Sequence, residues 1–431
     1  MRLLLSLVAI LLVSSTEIQA RNRVMSLSEA IQFALENNKE LQARRLNLLV
    51  IRSQMFEAGL RFPSNPELEI DQSTDALTSG SGEGSIQLSL SQEVEVGGQR
   101  AKRRAIVDAN LRVAEQEIAA LELALIREVR FAYSTVGIAV ERFALSSHAD
   151  SLAASLRDSA EVRSRSGLIP ASDFTFLNLE YVAQEADLAT AAVELYAARD
   201  QLSTLLGVSV TDSVDLVQEA TLRPLPISDD SVVSLAIANR SEIRRSQLNQ
   251  QVELAKRGLA LAERTPNLRL SAFYVRERSI FGRDNIIGSV PGFDGLKDTD
   301  NLIGVRLGLP IPVVNRRKTE VKRSEAQIDL DKGIETSLLQ QVHFEAMTAV
   351  RKFRVAEGNQ RSLREVIPSA DSLFILLQKS YVEGRTPVAS YLVQKGQLLS
   401  AHFRYLDSRR AYAEAVMELE RAVGLDWEAI R

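Results

Sequence analysis

The most regular feature of the chain is the spacing of its apolar residues. Val107, Leu111, Ala114, Ile118, Leu121 and Leu125 step by four and three in turn, and Ala132, Val136, Ala139 and Phe143 resume the register after Glu128. This heptad rhythm winds helices left-handedly about their neighbours. No proline falls between residues 67 and 169, so the spacing predicts one helix over 98–165, ~102 Å long at 1.5 Å per residue. A second helix is predicted over 171–206. Upstream, Ser26-Leu27-Ser28-Glu29 has the pattern of a capping box and opens a helix predicted to run unbroken to about residue 60, where Pro63 and Pro66 end it. The period then changes to two. Leu68 and Ile70 alternate with Glu69 and Asp71, and Ile86, Leu88 and Leu90 alternate with Gln87, Ser89 and Ser91. This predicts two antiparallel strands, at about 66–76 and 84–96, joined through Gly80, Gly82 and Gly84, each with one apolar and one polar face.

The same order occurs a second time. Gly167-Leu168-Ile169-Pro170 returns as Gly384-Arg385-Thr386-Pro387, and each turn lies 40 residues before a helix end, Leu206-Gly207 and Val423-Gly424. Earlier, Ala34 to Leu41 matches Ala236 to Ile243, and Pro66-Glu67-Leu68-Glu69-Ile70 matches Pro266-Asn267-Leu268-Arg269-Leu270. The chain therefore reads as two repeats, 24–220 and 228–431, joined by a linker at 221–227 that holds Arg223-Pro224-Leu225-Pro226. The second copy predicts helices over about 231–264, 316–383 and 388–423. Its strands fall at about 266–278 (Leu268, Leu270, Ala272) and 301–313 (Ile303, Val305, Leu307, Leu309), with a longer loop near 279–300. Pro368 is expected to kink or interrupt its long helix.

The N-terminus changes the picture from a coiled coil to an exported protein. Arg2 precedes an apolar run over 3–13 broken only by Ser6, then Ser14, Ser15, Thr16 and a cleavage site after Ala20, which reads as a signal peptide over 1–20. Strands with an outward apolar face in an exported protein suggest a transmembrane β-barrel, in which closure satisfies every backbone group. Four strands cannot close. Their free edges require further copies, and two, three or four chains would give 8, 12 or 16 strands, between which the sequence does not choose.

Charge and composition narrow the chemistry. Fifty-two Lys and Arg against 56 Asp and Glu give a net charge of −4, so no basic field points to nucleic acid. There is no cysteine, and His148, His343 and His402 are scattered, which excludes thiolate chemistry and disulfides and leaves no evident catalytic or metal-ligand set. Glu93 and Glu95 share a strand face but lack a nucleophile or histidine, and read as a lumen-facing polar stripe. Gly97-Gly98 lacks the Gly-Lys-Ser/Thr ending of a phosphate loop. Neither an enzyme nor a cofactor is expected.

Over the mature chain these residues resemble the TolC family of outer-membrane efflux proteins, its heavy-metal efflux branch in particular. The resemblance rests on the duplication and the helix-strand-strand-long-helix order. It rests also on Leu90-Ser91-Gln92 leading to Gly97-Gly98-Gln99-Arg100, on its counterpart Leu309-Pro310-Ile311-Pro312 leading to Asn315-Arg316-Arg317, and on the Gly-x-x-Pro turns. It implies a mainly α fold with a small transmembrane β part: a homotrimer whose 12-strand β-barrel in outer-membrane lipid is continued by an α-helical barrel across the periplasm. The partners implied are a periplasmic adaptor of the membrane-fusion type and an inner-membrane pump of the resistance-nodulation-division type. The function implied is passive conduction of metal cations or small toxic compounds. A type I protein-secretion duct and a non-conducting periplasmic coiled-coil scaffold are the alternatives.

The resemblance also places candidate sites. Gly167, Pro170, Gly384 and Pro387 would form adaptor-facing tip turns, equally accounted for as plain helix-helix turns. Asp173, Tyr381 and Arg385 would belong to a gate, with Arg385 able to pair with Asp173, although Ser390 and Val393 stand where the family carries acidic residues. Arg100, Lys102 and Arg103 match Arg316, Arg317 and Lys318 just after a strand in both copies. Cations at a helix N-terminus oppose the dipole, so they are read as a basic cluster at the periplasmic membrane face or as a solvated surface.

Overall fold

The computed structural model describes residues 23–75, 77, 82–208, 214–216, 228–281, 296–314 and 316–430. The expected signal peptide, the 221–227 linker, Gly80, Asn315 and most of the longer second loop lie outside the described residues. In chain order the elements are β1 (Arg23–Met25), α1 (Leu27–Asn37), α2 (Lys39–Ala58), β2 (Glu67–Thr74), β3 (Gly84–Val94), α3 (Gln99–Arg165), α4 (Ala171–Leu206) and β4 (Val214–Leu216). They continue as α5 (Asp229–Asn239), α6 (Ser241–Ala262), β5 (Leu268–Phe281), β6 (Leu296–Gly308), α7 (Lys318–Val382), α8 (Val388–Val423) and α9 (Trp427–Ile430). The fold is mainly helical with a small antiparallel sheet.

The heptad segment is one helix of 67 residues, α3, and its counterpart α7 has 65. Pro368 does not interrupt α7. Proline removes one amide donor there, a loss that packing along the rest of so long a helix can offset. The expected single helix over 27–60 is instead two. Ser26 closes a full capping box with Glu29, but at Asn38 the backbone turns extended, with φ −60° and ψ 123°. There the Asn38 side chain accepts from the Leu41 amide at 3.0 Å and donates to the Leu205 carbonyl at 3.0 Å. A long-range acceptor thus holds the break. The second copy breaks likewise at Arg240, with φ −60° and ψ 123°. Its buried guanidinium donates to the Arg421 carbonyl at 2.9 Å and forms ion pairs with Glu242 and Glu345. Both breaks meet a helix end: Gly207 (φ 72°) and Gly424 (φ 76°) cap α4 and α8 in the left-handed region, and a Cβ on either would lie 2.5 or 2.8 Å from the Asn37 or Asn239 carbonyl oxygen.

The chain divides into two compact units. One comprises residues 1–45, 117–244 and 337–431, the other 46–116 and 245–336. Each draws on both halves of the sequence. Within the first, Ala30, Ala34, Leu41, Val129, Val136, Leu202 and Leu206 form one core cluster, and Val232, Val350, Phe353, Leu419 and Val423 form another with Trp427. The short pair β1–β4, parallel from Arg23–Val214 to Met25–Leu216, was not expected. The second unit holds a four-stranded antiparallel sheet in the order β2-β3-β5-β6. Its centre, β3 against β5, joins the two copies from Gly84–Arg278 to Val94–Leu268.

Candidate functional site

In the sheet, alternation places Leu68, Ile70, Ile86, Leu88, Leu90, Leu270, Ile303, Val305 and Leu307 on one face, and that face is exposed: Ile303 is 83% and Val305 80% accessible. On the other face Ser89 and Ser271 are 6% and 9% accessible. The sheet is inside out relative to a water-soluble protein, with apolar side chains on its open face. Phe273 departs from the polar face expected of its strand. Its ring lies across Gly304, where a Cβ would stand 2.3 Å from it, and the Arg306 guanidinium sits 5.2 Å from the ring centroid. The glycine makes room for the ring, a pairing visible only once the register is known.

Where the strands hand over to helices, Gln99 explains the Gly-Gly-Gln-Arg motif. Its buried amide accepts from the Gly97 N–H at 2.8 Å and donates to the Thr265 carbonyl at 3.1 Å and Asn267 Oδ1 at 3.0 Å. Gly97 itself lies so close to the Ala262 carbonyl that a Cβ would be 2.6 Å from it. Arg103 pairs with Glu95, and Arg317, at φ 54°, pairs with Glu263 and Glu320 at 3.3 and 3.1 Å. Arg316 donates to the Pro312 carbonyl at 3.3 Å. Arg100, Lys102 and Lys318 enter no ion pair among the described residues. Part of the basic cluster therefore ties strand ends to helices, which the sequence pattern did not reveal.

The two Gly-x-x-Pro turns are near replicas. Leu168 N–H donates to the Arg163 carbonyl and Gly167 N–H to Ser164, while Arg385 N–H donates to Ser380 and Gly384 N–H to Tyr381. This is the crossed hydrogen-bond pair of a Schellman motif, with glycine φ of 70° and 71°. Pro170 and Pro387 then precede the first turns of α4 and α8 with ψ of 147° and 148°. Arg385 pairs with Glu383 at 3.2 Å rather than with Asp173. Two residues along the chain, Glu383 closes the contact at less entropic cost than a partner across the turns. Tyr381 stacks on Tyr391, ring centroids 4.4 Å apart. Burial pushes the Tyr391 phenol up to about 12, with Tyr381 and Glu180 adding to the rise. Burial raises Tyr381 also, opposed by Arg163 and reinforced by Asp173. One turn on, the fully buried Lys395 ammonium lies 3.0 Å from Glu180, a tie between α8 and α4. Among the described residues no group of His, Asp or Glu side chains has a metal-holding arrangement, and no helix is long and apolar enough to cross a membrane.

Comparison with known proteins gives this architecture its family. The sequence profile of the family described as "Outer membrane efflux protein" matches residues 30–208 and 232–425. The chain belongs to that family. It is an outer-membrane efflux channel protein. Among curated relatives it is similar to the cobalt-zinc-cadmium resistance protein CzcC of Cupriavidus metallidurans, 22% identical over 410 residues, which are 93% of this chain and 90% of CzcC. Among solved structures it superposes on the outer-membrane channel CmeC of Campylobacter jejuni with TM-score 0.73 and 16% identity, over 92% of this chain and 85% of CmeC. It superposes on CusC with TM-score 0.70 and 17% identity, over 93% and 92%. At such identities the structural likeness speaks for the fold. The efflux family accounts for the duplicated order, the exposed apolar sheet and the replicated turns together.

Proposed function

We propose that three copies of the chain close their sheets into a 12-strand β-barrel in the outer membrane, extended into the periplasm by an α-helical barrel, and that this assembly passively conducts small toxic solutes handed over by a pump and its adaptor. The observation that carries the reading is the four-stranded sheet with its apolar face exposed and both edges, β2 and β6, unpaired among the described residues. In hydrocarbon each unpaired backbone group costs several kcal/mol, so edges must meet edges, and closure by like copies leaves none. The cargo we infer is a divalent transition-metal cation. What supports this is the similarity to CzcC over nearly the full length of both chains. The replicate turns at Gly167-Pro170 and Gly384-Pro387 are the surface we assign to the adaptor. Asp173, Tyr381 and Arg385 we assign to the gate of the duct, and the repeats 24–220 and 228–431 are its building units. Arg100, Lys102, Arg103, Arg316, Arg317 and Lys318 we place at the periplasmic membrane face.

Purified protein in planar bilayers tests the channel, and a deletion strain challenged with Co²⁺, Zn²⁺ and Cd²⁺ tests the cargo. Discrete unitary conductance and metal sensitivity restored by the intact gene are expected. Absence of any conductance step would remove the duct, and unaltered metal tolerance on deletion would remove the cargo.

A further inference from the structure

Beyond the apolar rows, the strand ends farthest along the chain from α6 and α7 sort their charges strictly by face. The register pairs Glu277 with Asp300 and Ser279 with Asp298, which places all three carboxylates on the polar face with Ser89 and Ser271. The alternate pairs are Arg276 with Asn301, Arg278 with Thr299 and Ile280 with Lys297, so Arg276, Arg278 and Lys297 stand on the apolar face in continuation of Ile303 and Val305. All three cations are exposed. No carboxylate lies on that face of any of the four strands: Glu67, Glu69, Asp71 and Glu93 all occupy polar-face positions. None of the three cations has an ion-pair partner among the described residues. Along β5, Tyr274 stands between Ala272 and these cations, in the row of Leu88 and Ile303, and its hydroxyl donates to Asn301 Oδ1 at 2.7 Å. Apolar rows, then an amphipathic tyrosine, then unpaired cations is the order in which a bilayer presents hydrocarbon, interface and headgroup.

We propose that Arg276, Arg278 and Lys297 form a binding surface for phosphate-bearing lipid headgroups at the rim of the sheet. The inference rests on the membrane-barrel reading above. Solvation alone does not account for the arrangement. A merely soluble rim would carry both signs on both faces, whereas here the polar face of the rim carries only Glu277, Asp298 and Asp300 and the apolar face only cations. Two arginines one pleat apart on β5 and a lysine on the neighbouring strand can neutralise a phosphomonoester from several sides, with the guanidinium forks taking paired oxygens. Repeated around a closed barrel, the triplet would make a cationic collar against an anionic leaflet.

The test is lipid enrichment by the full-length protein in nanodiscs of phosphatidylcholine with phosphatidic acid, read by mass spectrometry of the lipids that stay bound on gentle release. The parent protein should enrich phosphatidic acid, and rising salt should erode the enrichment. The triple variant Arg276→Ser, Arg278→Ser, Lys297→Ser should lose on the order of 100-fold in phosphatidic acid affinity while still entering the disc. Arg276→Lys, Arg278→Lys, Lys297→Arg should keep the enrichment, as should Glu277→Gln, Asp298→Asn, Asp300→Asn, which alters only the opposite face. Undiminished enrichment by the serine variant would overturn the proposal, as would complete competition by inorganic phosphate at matched ionic strength. Failure of the parent itself to enter a bilayer would instead sink the barrel reading, and this inference with it.

Discussion

Lys395 shows how one side chain can be readable in sequence while its purpose is not. Val388, Tyr391, Lys395 and Leu399 step by three, four and four along α8, so a charged residue occupies a core position of an apolar stripe, a signal any helical plot displays. Its partner Glu180 lies 215 residues away and is legible only in the fold. Glu180→Gln strands a wholly buried ammonium and should cost ~3 kcal/mol or more. Lys395→Met, which leaves only a partly exposed carboxylate, should cost less, and thermal midpoints in detergent decide the order. Glycines behave by position. Gly207→Ala must fit a Cβ 2.5 Å from a carbonyl oxygen at positive φ and should lower the midpoint, whereas Gly137→Ala, in α3 with nothing within 4 Å, should raise it through a gain of ~1 kcal/mol in stability. Glu242 gives a pH signature. Burial alone would raise its carboxyl, but its own backbone N–H, Arg240 and Ser241 hold it below the ordinary value. The group then stabilises the fold fully above the ordinary carboxylate range, and the contribution is lost as the pH falls from there through its lowered folded-state value. Between about pH 5 and about pH 3 the midpoint of Glu242→Gln should therefore fall less than that of the parent.

Among the elements, those bounded by punctuation residues were the most legible. The helices expected over 171–206 and 388–423 are found at those limits, because Pro170 and Pro387 open them and Gly207 and Gly424 close them. Strand limits moved by a few residues, most in β6, which starts at Leu296 rather than near 301, since pairing with β5 runs on past the apolar alternation. The breaks at Asn38 and Arg240 were not legible. A polar residue within a helical pattern looks ordinary until the Leu205 or Arg421 carbonyl it serves is in place. Asn38→Ala should cost ~1 to 2 kcal/mol through loss of the Leu41 cap and of a partner for that carbonyl. Pro368→Ala should raise the midpoint, because it restores an amide to the interior of α7. A lowered midpoint would mean that the proline is packed to a purpose.

For the whole molecule the inside-out sheet sets the terms. Ile303→Arg, on the most exposed apolar row, should cost up to ~2 to 4 kcal/mol of membrane insertion and reduce the amount recovered in outer-membrane fractions. Glu69→Lys, on the opposite face of β2, should leave that recovery unchanged and alter ion selectivity instead. The fold class was legible because period-two and heptad patterns are local. The division into compact units was not, because each unit gathers segments from both halves of the sequence. That interleaving bears on biogenesis. A chain that emerges from its first residue cannot finish either unit until the second half has followed, for β3 waits on β5 and α4 on α8. Separately produced halves should therefore be degraded rather than accumulate as folded pieces. The nascent chain's apolar strands stay without their mates until the second half has emerged.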